Sequence, residues 1–336
     1  MKTNVLLTGA GGNLAHFIRQ ALVASRLDIR VVACDYSPNA VGLYQADVGY
    51  VVPPAKDADY MARILSICQT EEIHIIMVGG MVEMRLLAQN QDLIRQQTGA
   101  FVVTSAPKVL QMMEDKFALA RHLAAHGFDH PDSVLPGDAT QFAEFLQRVP
   151  YPYIVKDRLG GGSQGLGIAR TQRQLDWLVE TIPNAVVQEY LYPDDEEYTV
   201  GVFISTSGKA VASIVMKRQL GLGMTSKAQV LVDSTLGSCC ERVMETMGAL
   251  GPANVQLRLT PRGPVVFEIN PRFSSTTSAR AHYGYNEPEM CIRHFLFQEE
   301  IKRPQLVGGR FFRVINDVFV AESDFVKLQA ERTIRK

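Results

Sequence analysis

The chain has no apolar run approaching the ~18–20 residues a bilayer-spanning helix requires, which argues against a helical membrane protein. It also has no excess of charge of either sign. Lys plus Arg number 34 against 35 for Asp plus Glu, a net charge of −1, so no global field draws it to nucleic acid and any anion site must come from a local basic cluster. Cysteine is scarce: Cys34, Cys68, Cys239, Cys240 and Cys291 are an odd number without a CxxC spacing. Most sit in apolar contexts, where free cysteine behaves as a small hydrophobe. The vicinal Cys239-Cys240 pair admits a redox switch, but a reducing compartment accounts for all five more simply. Internal repeats, low-complexity tracts and disordered linkers are missing too. The first residues carry a single lysine before a short strand and a glycine loop, which is not the pattern of a secretory signal. A cytoplasmic protein with neither nucleic-acid nor membrane partners is expected.

What is present is 336 residues, 46% hydrophobic and 21% charged, an ordinary composition for a globular enzyme and enough chain for two or three cores. Over residues 1–100, apolar strands (Asn4–Thr8, Arg30–Asp35, Ile73–Val78) alternate with helical stretches to about Ser25, over Tyr60–Gln69 and over Val82–Gln96. That alternation predicts a parallel sheet covered on both faces, a Rossmann-like α/β unit. Phe101–Thr104 adds a strand, and Ser105-Ala106-Pro107 reads as an N-cap with proline in the first turn. That helix breaks near Glu114-Asp115-Lys116, and a second runs to Ala125, closed by Gly127. From about Ser133 short strands, helices and glycine turns suit an α+β region on antiparallel strands. Beyond Gly308 the pattern predicts one strand, Phe311–Val320, and a basic helical tail.

The most informative stretch is Phe267-Glu268-Ile269-Asn270-Pro271-Arg272. Residues two apart on a strand share a face, so Glu268, Asn270 and Arg272 point one way while Phe267 and Ile269 bury on the other. Asn254–Leu259 also alternates, and Pro261-Arg262-Gly263-Pro264 supplies turn chemistry between the two runs. A hairpin centred on Arg262 sets Gln256 opposite Glu268. Gln256, Glu268 and Asn270 then form an all-oxygen cluster of the kind hard Mg²⁺ prefers. Upstream, Gly160–Gly167 follows an apolar strand ending in Lys156. Its glycines let backbone N–H groups surround a phosphate, although no Lys-Ser/Thr follows the last glycine as a Walker A loop requires. The acidic run Asp194–Glu197 reads as a solvated turn except at Glu197, which opens the next strand. Gly9-Ala10-Gly11-Gly12 falls short of a dinucleotide fingerprint because Leu14 stands where the third glycine belongs, although Asp35 does resemble a ribose-binding acid.

Taken in order, Lys116, Lys156, the glycine loop, Gln188-Glu189, Glu197, Gln256, Glu268 and Asn270 resemble the ATP-grasp superfamily, nearest its carbamoyl-phosphate-synthase-like branch, over almost the whole chain. The resemblance implies a Rossmann-like pre-ATP-grasp domain (1–104) contributing to the acceptor site without binding NAD. It further implies an N-lobe with the nucleotide lid (105–188), a C-lobe with the metal site (189–310) and a C-terminal strand and tail (311–336). Lys116 and Lys156 would hold ATP phosphates, with Gly161, Gly162, Ser163 and Gly165 in a lid over them. Gln188, Glu189, Tyr190 and Leu191 would flank adenine, and Glu197 would bind ribose. Gln256, Glu268 and Asn270 would carry one or two Mg²⁺, for which Mn²⁺ could substitute. Arg272 would face the transferred phosphate, with Lys217 and Arg218 assisting. Arg280 and the loop Gly221–Lys227 would border the acceptor pocket, although Arg280 equally suits a structural ion pair. The implied function is an ADP-forming ligase that joins a small-molecule carboxylate to an amine through an acyl phosphate; a homodimer is compatible with it.

The sequence also departs from the family. Asp157 stands where relatives often have proline. Ser274-Ser275-Thr276 follows Arg272 in place of a second basic residue, and a single unit is present instead of a tandem pair. These departures weigh against synthesis of carbamoyl phosphate. Formation of carbamoyl phosphate or carboxyphosphate, and a non-catalytic nucleotide-binding module, are the alternatives.

Overall fold

The computed structural model describes residues 2–160, 165–221, 223–232 and 234–336, which build three sheets. Strands β1 (Thr3–Thr8), β2 (Ile29–Asp35), β3 (Val48–Val51), β4 (Ile75–Val78) and β5 (Phe101–Val103) are parallel, in the order β3-β2-β1-β4-β5. Val5, Leu7, Ala33 and Met77 bury in one core, and Leu6, Val32, Cys34 and Ile76 in another. Burial on both faces is why these strands read as continuous apolar runs. Strand β3 has no such run, and its Gly49 is required: a Cβ there would lie 2.5 Å from the Leu43 carbonyl oxygen. The α/β expectation for this region holds.

The middle of the chain forms a four-stranded antiparallel sheet, β6-β9-β7-β8, from β6 (Ser133–Val134), β7 (Tyr153–Asp157), β8 (Leu166–Ala169) and β9 (Ala185–Glu189). Helices Ala139–Arg148 and Gln172–Thr181 cover it through Phe145, Leu175 and Leu178. The third sheet is antiparallel with six strands in the order β14-β13-β10-β11-β12-β15. Its members are β10 (Glu197–Ile204), β11 (Ala210–Gly221), β12 (Met224–Leu231), β13 (Gly251–Thr260), β14 (Gly263–Asn270) and β15 (Gly309–Phe312). Helices Lys116–Ala125 and Thr235–Glu245 pack on one face, with Leu119, Leu123, Cys240 and Val243 against Val200, Val202 and Val255. On the other face, Phe203 and Ile214 share the core of the parallel sheet, so the two layers are continuous. The last strand, β16 (Thr333–Arg335), returns to the first sheet and pairs antiparallel with β3. There Glu71, buried at the end of helix Tyr60–Thr70, receives Arg30 at 2.5 Å, the Tyr50 hydroxyl and Arg335. These donors hold its carboxyl down at about 2 despite burial.

Several local expectations differ. Val82–Gln96 is two helices, Met81–Gln89 and Gln91–Thr98, separated at Asn90. Ser105 is not a helix cap: its Oγ accepts from the Leu250 amide at 3.0 Å and ties this segment to the large sheet. Asp115 does cap the next helix, accepting from the Phe117 and Ala118 amides at 3.0 Å each. The strand expected over Phe311–Val320 stops at Phe312, because β12 supplies partners only from Lys227 to Val230. Ile315 and Phe319, at 90% and 92% exposure, lie on the surface beyond it. The tail helix, Glu322–Glu331, has Glu322 and Asp324 in its first turn and one basic residue, Lys327; Arg332, Arg335 and Lys336 come after it. No helix of the described residues is long and apolar enough to cross a membrane.

Candidate active site

The β13–β14 hairpin turns between Thr260 and Gly263, half a residue earlier than a hairpin centred on Arg262 would. Left alone, that register would pair Gln256 with Phe267. A β-bulge at Phe267 absorbs one residue, and beyond it Gln256 pairs with Glu268 and Asn254 with Asn270. The expected opposition of Gln256 and Glu268 is therefore present, but by a route the sequence did not indicate. The bulge re-aims one side chain: Phe267, expected to bury with Ile269, instead lines the cleft, its ring 5.7 Å from the Lys156 ammonium.

Around that hairpin the polar groups form a connected network. Glu268 Oε1 accepts from Asn270 Nδ2 at 2.8 Å and from Gln256 Nε2 at 3.4 Å. Arg218 donates to Gln256 Oε1 at 2.7 Å, and Arg272 to Asn270 Oδ1 at 2.9 Å. Arg218 also forks onto Glu197 Oε1 at 2.9 and 2.7 Å, and Arg258 holds Glu197 Oε2 at 2.6 Å. Arg272 is fixed further by the Phe273 carbonyl at 2.8 Å and the Met81 sulfur at 3.1 Å. Lys116 Nζ donates to the Gly160 carbonyl. Burial holds Lys156 down at about 8; Glu268 pulls it back up and Lys116 pushes it further down. Lys116 and Arg272 are likewise lowered by burial, each opposed chiefly by Glu268. Among the described residues, Glu268 thus sits in a cleft of about 440 Å³ lined by five cations, Lys116, Lys156, Arg218, Arg258 and Arg272, of which Arg218 and Arg258 are paired with Glu197. That charge pattern suits a polyanion.

The structure brings Lys116, Lys156, Gln188, Glu189, Leu191, Glu197, Arg218, Gln256, Glu268, Asn270 and Arg272 to one cleft. Other expected residues lie elsewhere. Lys217 alternates to the opposite face of β11 from Arg218 and pairs with Glu196. Arg280 is fully buried behind the site, where Glu287 at 2.8 Å neutralises it and its other nitrogen reaches Asn254 Oδ1 at 2.5 Å. It is a structural ion-pair member, not a group facing a ligand. Tyr190 turns outward to Asp194 at 2.8 Å. Glu189 lines the cleft, yet its carboxylate is held by Arg262 and by the Asp132 amide at 2.8 Å. Gly165 has φ +63; Gly161, Gly162 and Ser163 lie outside the described residues.

Sequence reading missed Asn254, Arg258 and Thr199, all in the cleft lining. Strand periodicity offered the signal, since Asn254 and Arg258 flank Gln256 at two residues on either side and Thr199 follows Glu197 by two. It also missed Asn13 and Leu14 in the lining, for which no local signal exists, whereas Gly223, Met224 and Thr225 of that lining fall within the Gly221–Lys227 loop expected to border the acceptor pocket.

Comparison with known proteins agrees with this geometry. Residues 181–317 match the family described as ATP-grasp in the biosynthetic pathway with Ter operon, and residues 5–102 match the PylC-like N-terminal domain. Residues 181–317 thus form an ATP-grasp region. In this chain it follows a PylC-like N-terminal domain, and that combination is as far as the comparisons identify the protein. The carbamoyl phosphate synthase large chain of Thermomicrobium roseum is 25% identical over 312 residues, covering 84% of this chain and 29% of that one. The chain spans less than half the length of such curated relatives as this synthase. Among solved structures, N5-carboxyaminoimidazole synthetase from Staphylococcus aureus, complexed with ADP, aligns with a TM-score of 0.73 at 15% identity, covering 98% of this chain and 86% of that one. The biotin carboxylase domain of the Hydrogenobacter thermophilus 2-oxoglutarate carboxylase, complexed with MgADP and bicarbonate, aligns at 0.63 and 16% identity, covering 86% and 69%. At these identities the structural matches establish the fold.

Proposed function

We propose that this protein is an ATP- and Mg²⁺-dependent ligase that joins a carboxylate to an amine through an acyl phosphate, releasing ADP and phosphate. The observation that carries this reading is the convergence of Lys116, Lys156, Arg218 and Arg272 with Glu268 and Asn270 on one cleft. The donor set suits a nucleotide-borne Mg²⁺. Glu268 and Asn270 offer hard oxygens, and among the described residues no three His, Cys, Asp or Glu side chains gather into an all-protein cage. Mg²⁺ typically uses one or two carboxylates and completes its shell with phosphate oxygens and water. Gln256, Glu268 and Asn270 are assigned to hold it, and when bound it would neutralise charge on the transferring phosphoryl group.

The side chains supply the rest. Lys116 and Lys156 hold the phosphates, and Arg272, fixed by three contacts, offers its remaining N–H groups to the transferred group. Leu191 and the β9 backbone flank the base, with Glu197 directed toward ribose. A carboxylate oxygen bonds to the γ-phosphorus as the bond to ADP breaks. The amine nitrogen then bonds to the acyl carbon as phosphate departs, and the nitrogen releases a proton. Positioning and electrostatics carry this chemistry, so no nucleophilic side chain is required.

A second reading takes bicarbonate as the acid, because the Staphylococcus and Hydrogenobacter proteins bear carboxylating names. The test is ADP release with Mg·ATP across panels of acids and amines, with bicarbonate as a separate arm. Release that needs an organic acid supports the ligase; release with bicarbonate alone supports the second reading. Tight Mg·ATP binding without release under any condition would leave a binding module. Glu268→Ala is expected to reduce turnover at least 100-fold while circular dichroism shows a retained fold, and an active variant would overturn the metal assignment.

A further inference from the structure

Lys116 is held by more than its own helix. It is the first residue of helix Lys116–Ala125; its amide donates to the Arg158 carbonyl at 3.1 Å, and its ammonium donates to the Gly160 carbonyl. Both acceptors come directly after β7 (Tyr153–Asp157), the strand that carries Lys156. The two lysines assigned to the phosphates, far apart in sequence, are therefore mounted against one another. An ammonium has three donors, so Lys116 can hold Gly160 and still offer N–H groups to a phosphate.

Arg158 completes this mounting. Its Nε donates to Asp115 Oδ1 at 2.7 Å and its Nη2 to Asp115 Oδ2 at 2.5 Å, a two-pronged fit that only a guanidinium makes to a carboxylate. Asp115 Oδ1 is the same atom that caps the Lys116 helix by accepting from the Phe117 and Ala118 amides. Burial works against the charge on Asp115, but Arg158 and the two amides outweigh it and hold the carboxyl below its ordinary range. On its other side the Arg158 amide donates to the Asn184 carbonyl at 3.1 Å, just ahead of β9. Arg158 lines a second cavity, of about 820 Å³, with Arg85 and Glu114, and not the cleft that holds Glu268. Its influence on that cleft runs through Asp115.

Resting on the reading of Lys116 and Lys156 as phosphate ligands, we infer that Arg158 is a positioning residue for the nucleotide phosphates. Through Asp115 it fixes the first turn of helix Lys116–Ala125 against the end of β7, so that Lys116 and Lys156 meet the phosphates as a preset pair. Fixing ligating groups before the ligand arrives cuts the ordering cost of binding. An ion pair that only stabilised the chain would leave phosphate recognition untouched.

The test is calorimetric titration of the full chain with Mg·ADP and, separately, with adenosine, which has no phosphate. Arg158→Met is expected to weaken Mg·ADP by roughly 10- to 100-fold, the cost of misplacing a ligating group by about an ångström, and to leave adenosine within about twofold. In a Lys116→Met background the same change should weaken Mg·ADP by less than about twofold, because the group it positions has gone. Asp115→Asn keeps a helix cap but loses the charge that Arg158 grips. It should repeat the pattern, with Mg·ADP weakened at least about threefold while Lys116 is present and adenosine unchanged. It also carries the test should Arg158→Met fail to fold. Equal losses with and without Lys116, a matching loss for adenosine, or undiminished Mg·ADP binding in either single variant overturns the inference and leaves the ligase reading standing. Wild-type protein that binds Mg·ADP no more tightly than adenosine refutes the phosphate assignment itself, and this inference with it.

Discussion

Replacing Lys156 with methionine removes an ammonium but keeps an unbranched side chain over the Phe267 ring. Lys156 is 8% exposed and its pKa is held at about 8, from an ordinary 10.5. At ~1.36 kcal/mol per unit, that depression amounts to about 3 kcal/mol of penalty carried by the folded protein while this lysine is charged. The sign follows from proton counting. Between pH 8 and 10.5 the unfolded chain binds more protons at this group than the folded one, so stability rises with pH across that window; below it the penalty is present in full. Losing the contact with Phe267 offsets roughly 0.5–2 kcal/mol. Lys156→Met is therefore expected to be more stable than wild type by about 1–3 kcal/mol at pH 7, with the gap closing by pH 10.5. Its affinity for Mg·ADP should fall by roughly 10- to 150-fold, the loss of one charged hydrogen bond. Thermal melts of both proteins at pH 7, 9 and 10.5, with calorimetric titration of Mg·ADP, check both parts. A variant less stable at pH 7, or a gap that ignores pH, would refute the reasoning. Gained stability with undiminished nucleotide affinity would place the phosphates elsewhere.

Two further outcomes concern buried carboxylates. Arg280→Met leaves the fully buried Glu287 carboxyl without its cation, so that it must stay charged unpaired or take up a proton, and should cost about 3–5 kcal/mol, whereas adding Glu287→Leu should recover much of that; comparing the single and double variants in urea separates a structural pair from a substrate-reading one. Glu83, on helix Met81–Gln89, is raised to about 7, chiefly by burial. Its folded form binds the extra proton between pH 4.5 and 7, so wild-type stability should fall as pH rises through that window. Glu83→Gln should flatten that slope in melts at pH 5 and pH 8.

The parallel sheet was legible because both its faces are buried, which writes strands as apolar runs; only β3, with its glycine, escaped. The hairpin was legible in its pairing but not in its mechanism. Alternation placed Gln256 against Glu268, while the bulge that achieves this left no mark and reversed the side on which Phe267 lies. Lys217 and Arg218 were taken together although strand geometry separates neighbours, so the error was in applying the rule. Arg280 was ambiguous because its partners come from β10, β13 and the short helix Glu287–Cys291, a convergence only the folded chain creates. Asn13 was unreadable for the same reason, since it reaches the cleft from a helix distant in sequence, whereas Thr225 lies in the Gly221–Lys227 loop expected at the acceptor pocket.

The antiparallel pairing of β16 with β3 has a temporal consequence. Arg335 and Tyr50, which meet there, are 285 residues apart in sequence. At a synthesis rate of ~5–20 residues per second, β3 spends roughly 15–60 s as an unpaired edge while the rest emerges. Throughout that interval Glu71 has Arg30 and Tyr50 but not Arg335. The early sheet is thus a template for other strands while the ribosome is still working. The yield of native protein should depend on translation speed and on chaperone cover in a way that the mature molecule, once closed, no longer reveals.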